Sequence, residues 1–202
     1  MPKTFIKFLE PFEKEMVKDA PKKRGLVITV SGPAVSGKST AAKAIAEKFG
    51  LEYISAGRVF REIAAERGIP IEKFSAIREP EIDYEIDRRT LMYAIRGGCV
   101  LDARLSGWVA GKWADVKIFF ECNLPVKAKR LAKRDRITLE EAKIIIEERD
   151  REDNKKYVTL YGVDQFDKSI YDIIINNDDL TLEEVMAVPV ELVKKFLKTK
   201  KP

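Results

Sequence analysis

Residues Gly32-Pro33-Ala34-Val35-Ser36-Gly37-Lys38-Ser39 satisfy the spacing G-x-x-x-x-G-K-[ST], a pattern suited to holding phosphate. Gly32 and Gly37 permit backbone angles and a close approach that a Cβ would obstruct. The amides between them turn inward and donate to phosphate oxygens. A helix opening near Lys38 adds its positive dipole end. Lys38 then reaches the β- and γ-phosphates, the Ser39 hydroxyl can hold Mg²⁺, and Thr40 reaches the α-phosphate. This chemistry is binding of a nucleoside triphosphate, not yet a reaction. The GTPase reading fails: Asn154-Lys155-Lys156-Tyr157 is not N-K-x-D, and Asp102-Ala103-Arg104-Leu105 does not complete D-x-x-G. Small phosphotransferases remain.

The arginines are the second group. All but Arg24 fall between Arg58 and Arg151, whereas lysines spread to both ends. A planar guanidinium grips phosphate in a way that lysine does not, so the clustering favours phosphate clamps. Arg61, Arg88 and Arg89 could hold the phosphate of an acceptor, set against ordinary ion pairs with Glu62, Glu85 or Asp87. Arg104 follows a strand that ends at Asp102 and should face the same crevice as the glycine-rich loop. Arg130, Arg134, Arg149 and Arg151 flank a polar bend between two helices. Such a hairpin could close over ATP and bring arginine to the γ-phosphate, excluding water.

The elements that must position these residues alternate between two periods. Apolar runs at 26–30, 52–55, 99–101, 116–121 and 172–175 read as five strands. Helical spacing runs over 38–49, 57–67 and 81–96. Pro125 opens a helix to about 134, and Thr138 with Glu141 forms a capping box for a helix to about 157. Thr181 with Glu184 caps a last helix to about 197, followed by a frayed tail. The fold class is α/β, three layers, with a parallel five-stranded sheet wrapped by helices. Residues 1–24 stand apart as an extension. Phe5, Phe8, Leu9, Phe12 and Met16 share a helical face expected to pack on the domain, with Pro11 bending it.

Composition excludes other chemistries. The 202 residues contain no histidine, so catalytic imidazoles and His-ligated zinc are out. Two cysteines, Cys99 and Cys122, make no disulfide framework and suggest a reducing, cytoplasmic setting. A net charge of +5 does not call for nucleic acid, and no apolar run approaches the roughly 20 residues that span a bilayer. Oligomeric state is not readable.

The segments GPAVSGKST (32–40), ISAGRVFREIA (54–64), EIDYEIDRR (81–89), LDARLSGW (101–108), RLAKRD (130–135), ERDREDNKKYVTLYGVD (148–164) and SIYDIIINN (169–177) resemble the archaeal-type cytidylate kinases of the nucleoside monophosphate kinase superfamily. The resemblance covers about 25–185. It implies a P-loop kinase fold with a helical acceptor-binding region near 57–97 and a short helical lid near 130–155. It implies small-molecule nucleotides as partners, with Mg-ATP phosphorylating CMP or dCMP. Ser55, Gly57 and Arg61 would hold the acceptor, Arg88 its phosphate and Asp87 its base. Asp102 and Arg104 match an acidic-x-arginine element, with Asp102 reaching the metal through water. Arg130 and Arg134 match lid arginines; Arg149, Asp150 and Asp153 match an R-D-x-x-D pattern, with Arg149 on phosphate and the aspartates toward the pyrimidine sugar or lid. Four residues depart from the family pattern: Arg58 for an acid, Ala103 for glycine after Asp102, Val35 for a loop glycine, and Lys156 for an arginine of bacterial relatives.

The expected reaction is in-line transfer, with the acceptor oxygen attacking the γ-phosphorus and no protein nucleophile. A monophosphate with a second pKa of about 6 is already largely anionic, so no general base is required. Two other classes stay open on sequence alone: a kinase for UMP, AMP or a non-nucleotide such as shikimate, and a nucleotide-responsive RNA-binding protein with little turnover.

Overall fold

The computed structural model describes residues 6–76 and 79–199, the side chains of residues 75 and 76 excepted. The apolar runs form β1 (Val27–Ser31), β2 (Glu52–Ser55), β3 (Cys99–Asp102), β4 (Val116–Glu121) and β5 (Ile173–Asn176). All pair in parallel, in the order β2-β3-β1-β4-β5. β1 is buried along its whole length, as expected of a central strand covered on both faces.

Before, between and after the strands run α1 (Glu10–Met16), α2 (Lys38–Phe49), α3 (Ala56–Glu66), α4 (Ile71–Ala76), α5 (Pro80–Arg96), α6 (Ser106–Ala110), α7 (Leu124–Asp135), α8 (Leu139–Tyr161) and α9 (Leu182–Thr199). Alternation along β1 splits the core. Ile28 and Val30 join Ala41, Ile45, Phe120 and Val193, beneath α2 and α9. Val27 joins Ile54, Val59, Ile63, Phe74 and Ile82, beneath α3, α4 and α5. Thr138 completes the expected capping box with Glu141 at the start of α8. That helix runs four residues past the expected end, to Gly162 in the left-handed region (φ 67°).

The N-terminal segment packs back on the domain. Ile6 and Leu9 are fully buried among Leu91, Ile95, Trp108 and Val109, each burial stabilising by about 1.5–3 kcal/mol. Pro11 does not bend α1; it sits in its first turn, where a missing N–H costs nothing. Glu13 accepts the indole N–H of Trp113 at 2.9 Å and pairs with Lys112. Phe5 and residues 200–202 lie outside the described residues, while Lys198 and Thr199 belong to α9 rather than to a frayed tail.

Candidate active site

The parallel sheet brings its strand ends together. In register, Ser55 aligns with Asp102 and Val30 aligns with Asp102 from the other side. The carboxyl ends of β1, β2 and β3 therefore open on one crevice, where such sheets collect ligands. The loop after β1 wraps into α2. A Cβ on Gly32 would collide with the Phe120 carbonyl, and one on Gly37 (φ 90°) with the Asn177 amide. Gly32 thus requires glycine for space as well as for backbone angle, and Gly37 requires it for its angle. Val35 has φ 60°, a left-handed conformation costing roughly 1–2 kcal/mol and unusual for a β-branched residue.

A cleft of about 1150 Å³ runs from this loop past the strand ends to α5 and α8. Ala34, Val35, Ser36, Gly37, Lys38, Ser39 and Thr40 line it; Gly32 and Pro33 lie beneath. Lys38 Nζ donates to the Pro33 carbonyl at 3.1 Å. Burial lowers its pKa to about 8, with Asp102 opposing and Arg104 adding to the shift.

Asp102 is buried at the end of β3, where its Oδ2 accepts the Tyr53 hydroxyl at 2.7 Å. Its Oδ1 is buried with no hydrogen-bond partner. Arg104 lines the cleft and ion-pairs with Asp153 of α8. Arg130 also lines it, donating to the Asn177 carbonyl at 2.7 Å. Arg134 and Arg149 project into the same space. Burial and the cations Arg104 and Arg134 push the Arg149 pKa down. Like charges gathered this closely are relieved by an anion between them.

At the far end, Ser55 and Gly57 line the cleft, the Ser55 hydroxyl capping α3 through the Arg58 amide at 3.1 Å. Asp87 lines it from α5. Burial raises its pKa to about 7, against the Tyr161 hydrogen bond, which favours the charged form.

Five residues expected around the site are not on the cleft wall. Arg61 and Arg88 are absent from the cleft wall. The Arg88 guanidinium stacks on Phe12, 3.8 Å from the ring centroid. Arg89 is held by Glu66 and Glu85 in surface ion pairs. Arg151 is exposed and also outside the wall. Asp150 does not face an acceptor: it is buried behind the loop, accepting the Ala34 amide at 3.1 Å and the Lys127 ammonium at 2.7 Å. On a helix, Arg149 and Asp153 share a face at i, i+4, while Asp150 lies a quarter-turn round. Arg58, the charge reversal, also leaves the cleft alone and ties Glu52 to Glu62.

Sequence reasoning missed Tyr53, Asp83, Tyr157 and Asn177, all on the cleft wall. Tyr53 was findable, because it shares a strand face with Ser55 at period 2. Asn177 was not: it reaches the Ser36 carbonyl at 2.6 Å across a sequence separation of 141.

The cytidylate kinase-like family model matches residues 27–179. A cytidylate kinase of Pyrococcus horikoshii is 47% identical over 165 residues, covering 81% of this chain and 85% of the relative. One from Staphylothermus marinus is 42% identical over 175 residues, covering 86% and 99%. Among solved structures, a shikimate kinase of Bacteroides thetaiotaomicron aligns with a TM-score of 0.58 at 16% identity, covering 86% of this chain and 98% of that one. That likeness concerns the fold alone.

Proposed function

The chain belongs to the cytidylate kinase-like family, and we propose that it phosphorylates CMP or dCMP with ATP, giving CDP or dCDP and ADP. The reading rests on one observation: Lys38, Asp102, Arg104 and Arg149 share a cleft whose one end is the glycine-rich loop and whose other end carries Ser55 and Asp87. Two phosphorylated molecules lying end to end would meet at those charges.

In this reading the loop amides and Lys38 hold the β- and γ-phosphates, with Arg130 and Arg134 closing from α7. Ser55, Gly57, Asp87 and Asp153 hold the acceptor, and Arg104 and Arg149 bridge the two phosphate groups. The acceptor oxygen attacks the γ-phosphorus, so catalysis is positioning plus charge neutralisation. We assign the acceptor region to about 57–97 and the lid to about 130–155, with residues 1–24 as an extension of the kinase domain. Arg61 and Arg88 would join by turning their side chains into the cleft, Arg61 Nη1 already lying beside the position of Gly57.

The donor set fits magnesium. Ser39 and Asp102 line the cleft together, Asp102 Oδ1 has no hydrogen-bond partner, and Mg²⁺ takes few protein ligands beside phosphate oxygens and water. Bound there, the ion would neutralise and orient the phosphates. Among the described residues no helix is long and apolar enough to cross a membrane. Both cysteines are free thiols, and we take the setting to be cytoplasmic.

An ADP-release assay with Mg-ATP and CMP, dCMP, UMP, AMP, GMP or shikimate tests the reading. CMP and dCMP should be preferred by kcat/KM. Preference for another acceptor, or release with none, overturns it.

A further inference from the structure

Two contacts tie the phosphate loop to the hairpin of α7 and α8. The first is polar. Asp150 Oδ1 accepts the Ala34 amide at 3.1 Å, and its Oδ2 accepts Lys127 Nζ at 2.7 Å. Asp150 and Lys127 are both buried, and the Asp150 carbonyl is fixed in turn by the Gln165 side chain at 2.6 Å. The Ala34 amide is thus turned away from the phosphates and spent on α8. The second contact is apolar. Val35 packs against the small core of the hairpin formed by Ala128, Leu131, Ala142 and Ile146.

Val35 is also the loop residue in the left-handed region, with φ 60°. Glycine would take that conformation freely, so a valine persists there only where its surroundings over-determine the backbone. The surroundings are the two contacts just named, acting on adjacent residues. We infer that Asp150 and Val35 are positioning residues through which the α7–α8 hairpin imposes the ATP-competent shape of the loop. Asp150 fixes the Pro33–Ala34 peptide plane, at the residue before Val35, and the Val35 methyls fix the turn after it. A loop without these holds must be ordered by ATP itself, which lowers affinity. The hairpin then acts on both sides of the nucleotide, with arginines toward the cleft and Asp150 behind the loop.

The inference rests on the reading of this loop as the ATP site. The test uses the full chain and Val35→Ala, Val35→Gly, Asp150→Ala and the Val35→Ala/Asp150→Ala double variant. The dissociation constant for Mg-ATP is measured by calorimetry, the KM for CMP by turnover, and loop amide protection by hydrogen exchange without nucleotide. Each single variant should weaken ATP about fivefold or more and speed exchange in residues 34–38, while the CMP KM stays within about twofold. Val35→Gly should not bind more tightly than wild type, despite its freer backbone. The double variant should lose less than the product of the single losses, as expected of residues acting on one element. Unchanged ATP affinity in the singles, tighter binding by Val35→Gly, or losses falling equally on CMP overturn the inference. If Val35→Ala proves unstable, Asp150→Ala, which leaves the Ala34 amide without its acceptor, decides alone by the same criteria. Wild-type protein that binds no ATP sinks the underlying reading as well, whereas wild-type binding with unaffected variants sinks only this one.

Discussion

The Tyr161 hydroxyl donates a 2.6 Å hydrogen bond to Asp87 Oδ2, joining the last residue of α8 to the middle of α5 at the end of the cleft away from the glycine-rich loop. Tyr84 and Tyr157 flank Tyr161, so the bond lies in aromatic surroundings that disfavour charge. The Asp87 carboxyl is accordingly poised to titrate near neutrality.

Removing that hydrogen bond should raise the Asp87 midpoint further, because the bond favours the ionised form. In wild type, the KM for CMP should change through about pH 7, and in Tyr161→Phe the change should move to higher pH. Matching profiles for the two proteins, measured from pH 5.5 to 9, would remove Asp87 from the acceptor end.

The same carboxyl leaves a mark on stability. Its folded pKa lies above its ordinary value of 3.8, so its favourable contribution is complete below about pH 4 and lost as pH rises through about 7. Asp87→Asn keeps an acceptor for Tyr161 without a charge to bury. Its Tm advantage over wild type should therefore grow from pH 5 to pH 8 in thermal melts. A constant difference contradicts the burial argument.

On the proposed reading, in which the Lys38 charge neutralises the transferring group, Lys38→Ala should lower kcat by about 10³-fold or more with circular dichroism unchanged. In wild type, the ammonium is held down to about 8 by burial. The cation is the binding form, so the KM for ATP should rise as pH passes 8. Retention of a tenth of the wild-type rate by Lys38→Ala would refute the role.

Arg58→Glu tests whether the family departure at this position matters to the acceptor. The side chain bridges Glu52 and Glu62 and lines none of the cleft, so acceptor preference and KM should hold within about twofold. Stability should fall by somewhat more than the roughly 1 kcal/mol or less of each lost exposed ion pair, because the new carboxylate faces Glu52 and Glu62. Altered preference among CMP, UMP and AMP would instead connect Arg58 to the base.

Phe12→Ala should destabilise by about 1–2 kcal/mol, having removed the ring over Arg88 and its contact with Phe8. Arg88→Ala and Phe12→Ala should be strongly non-additive in chemical denaturation. Independent effects would show that the stacking carries no energy.

Much of the architecture could be read from the chain because its signals are local. The apolar runs, the Thr138–Glu141 capping box and the proline at the start of α7 are each complete within a few residues. Short α4 and α6 escaped: α6 is buried on every side, so it shows no polar face to mark its period. The last helix, expected from the Thr181–Glu184 cap to about 197, runs unbroken through Pro189 in α9. At the site, the glycine-rich loop announces itself by spacing, but Asp150 reads identically whether it faces the cleft or the back of the loop. Only the distant Ala34 and Lys127 decide between them.

The Glu13–Trp113 bond makes the docking of the first helix visible in solution. Trp113 is partly exposed and has the cations of Arg24 and Lys112 near its ring, whereas Trp108 is enclosed in the core. Detachment of the N-terminal segment would strip Trp113 of its carboxylate and wet its indole, shifting its emission to longer wavelength. Undocking can therefore be followed by intrinsic fluorescence, with no dye attached.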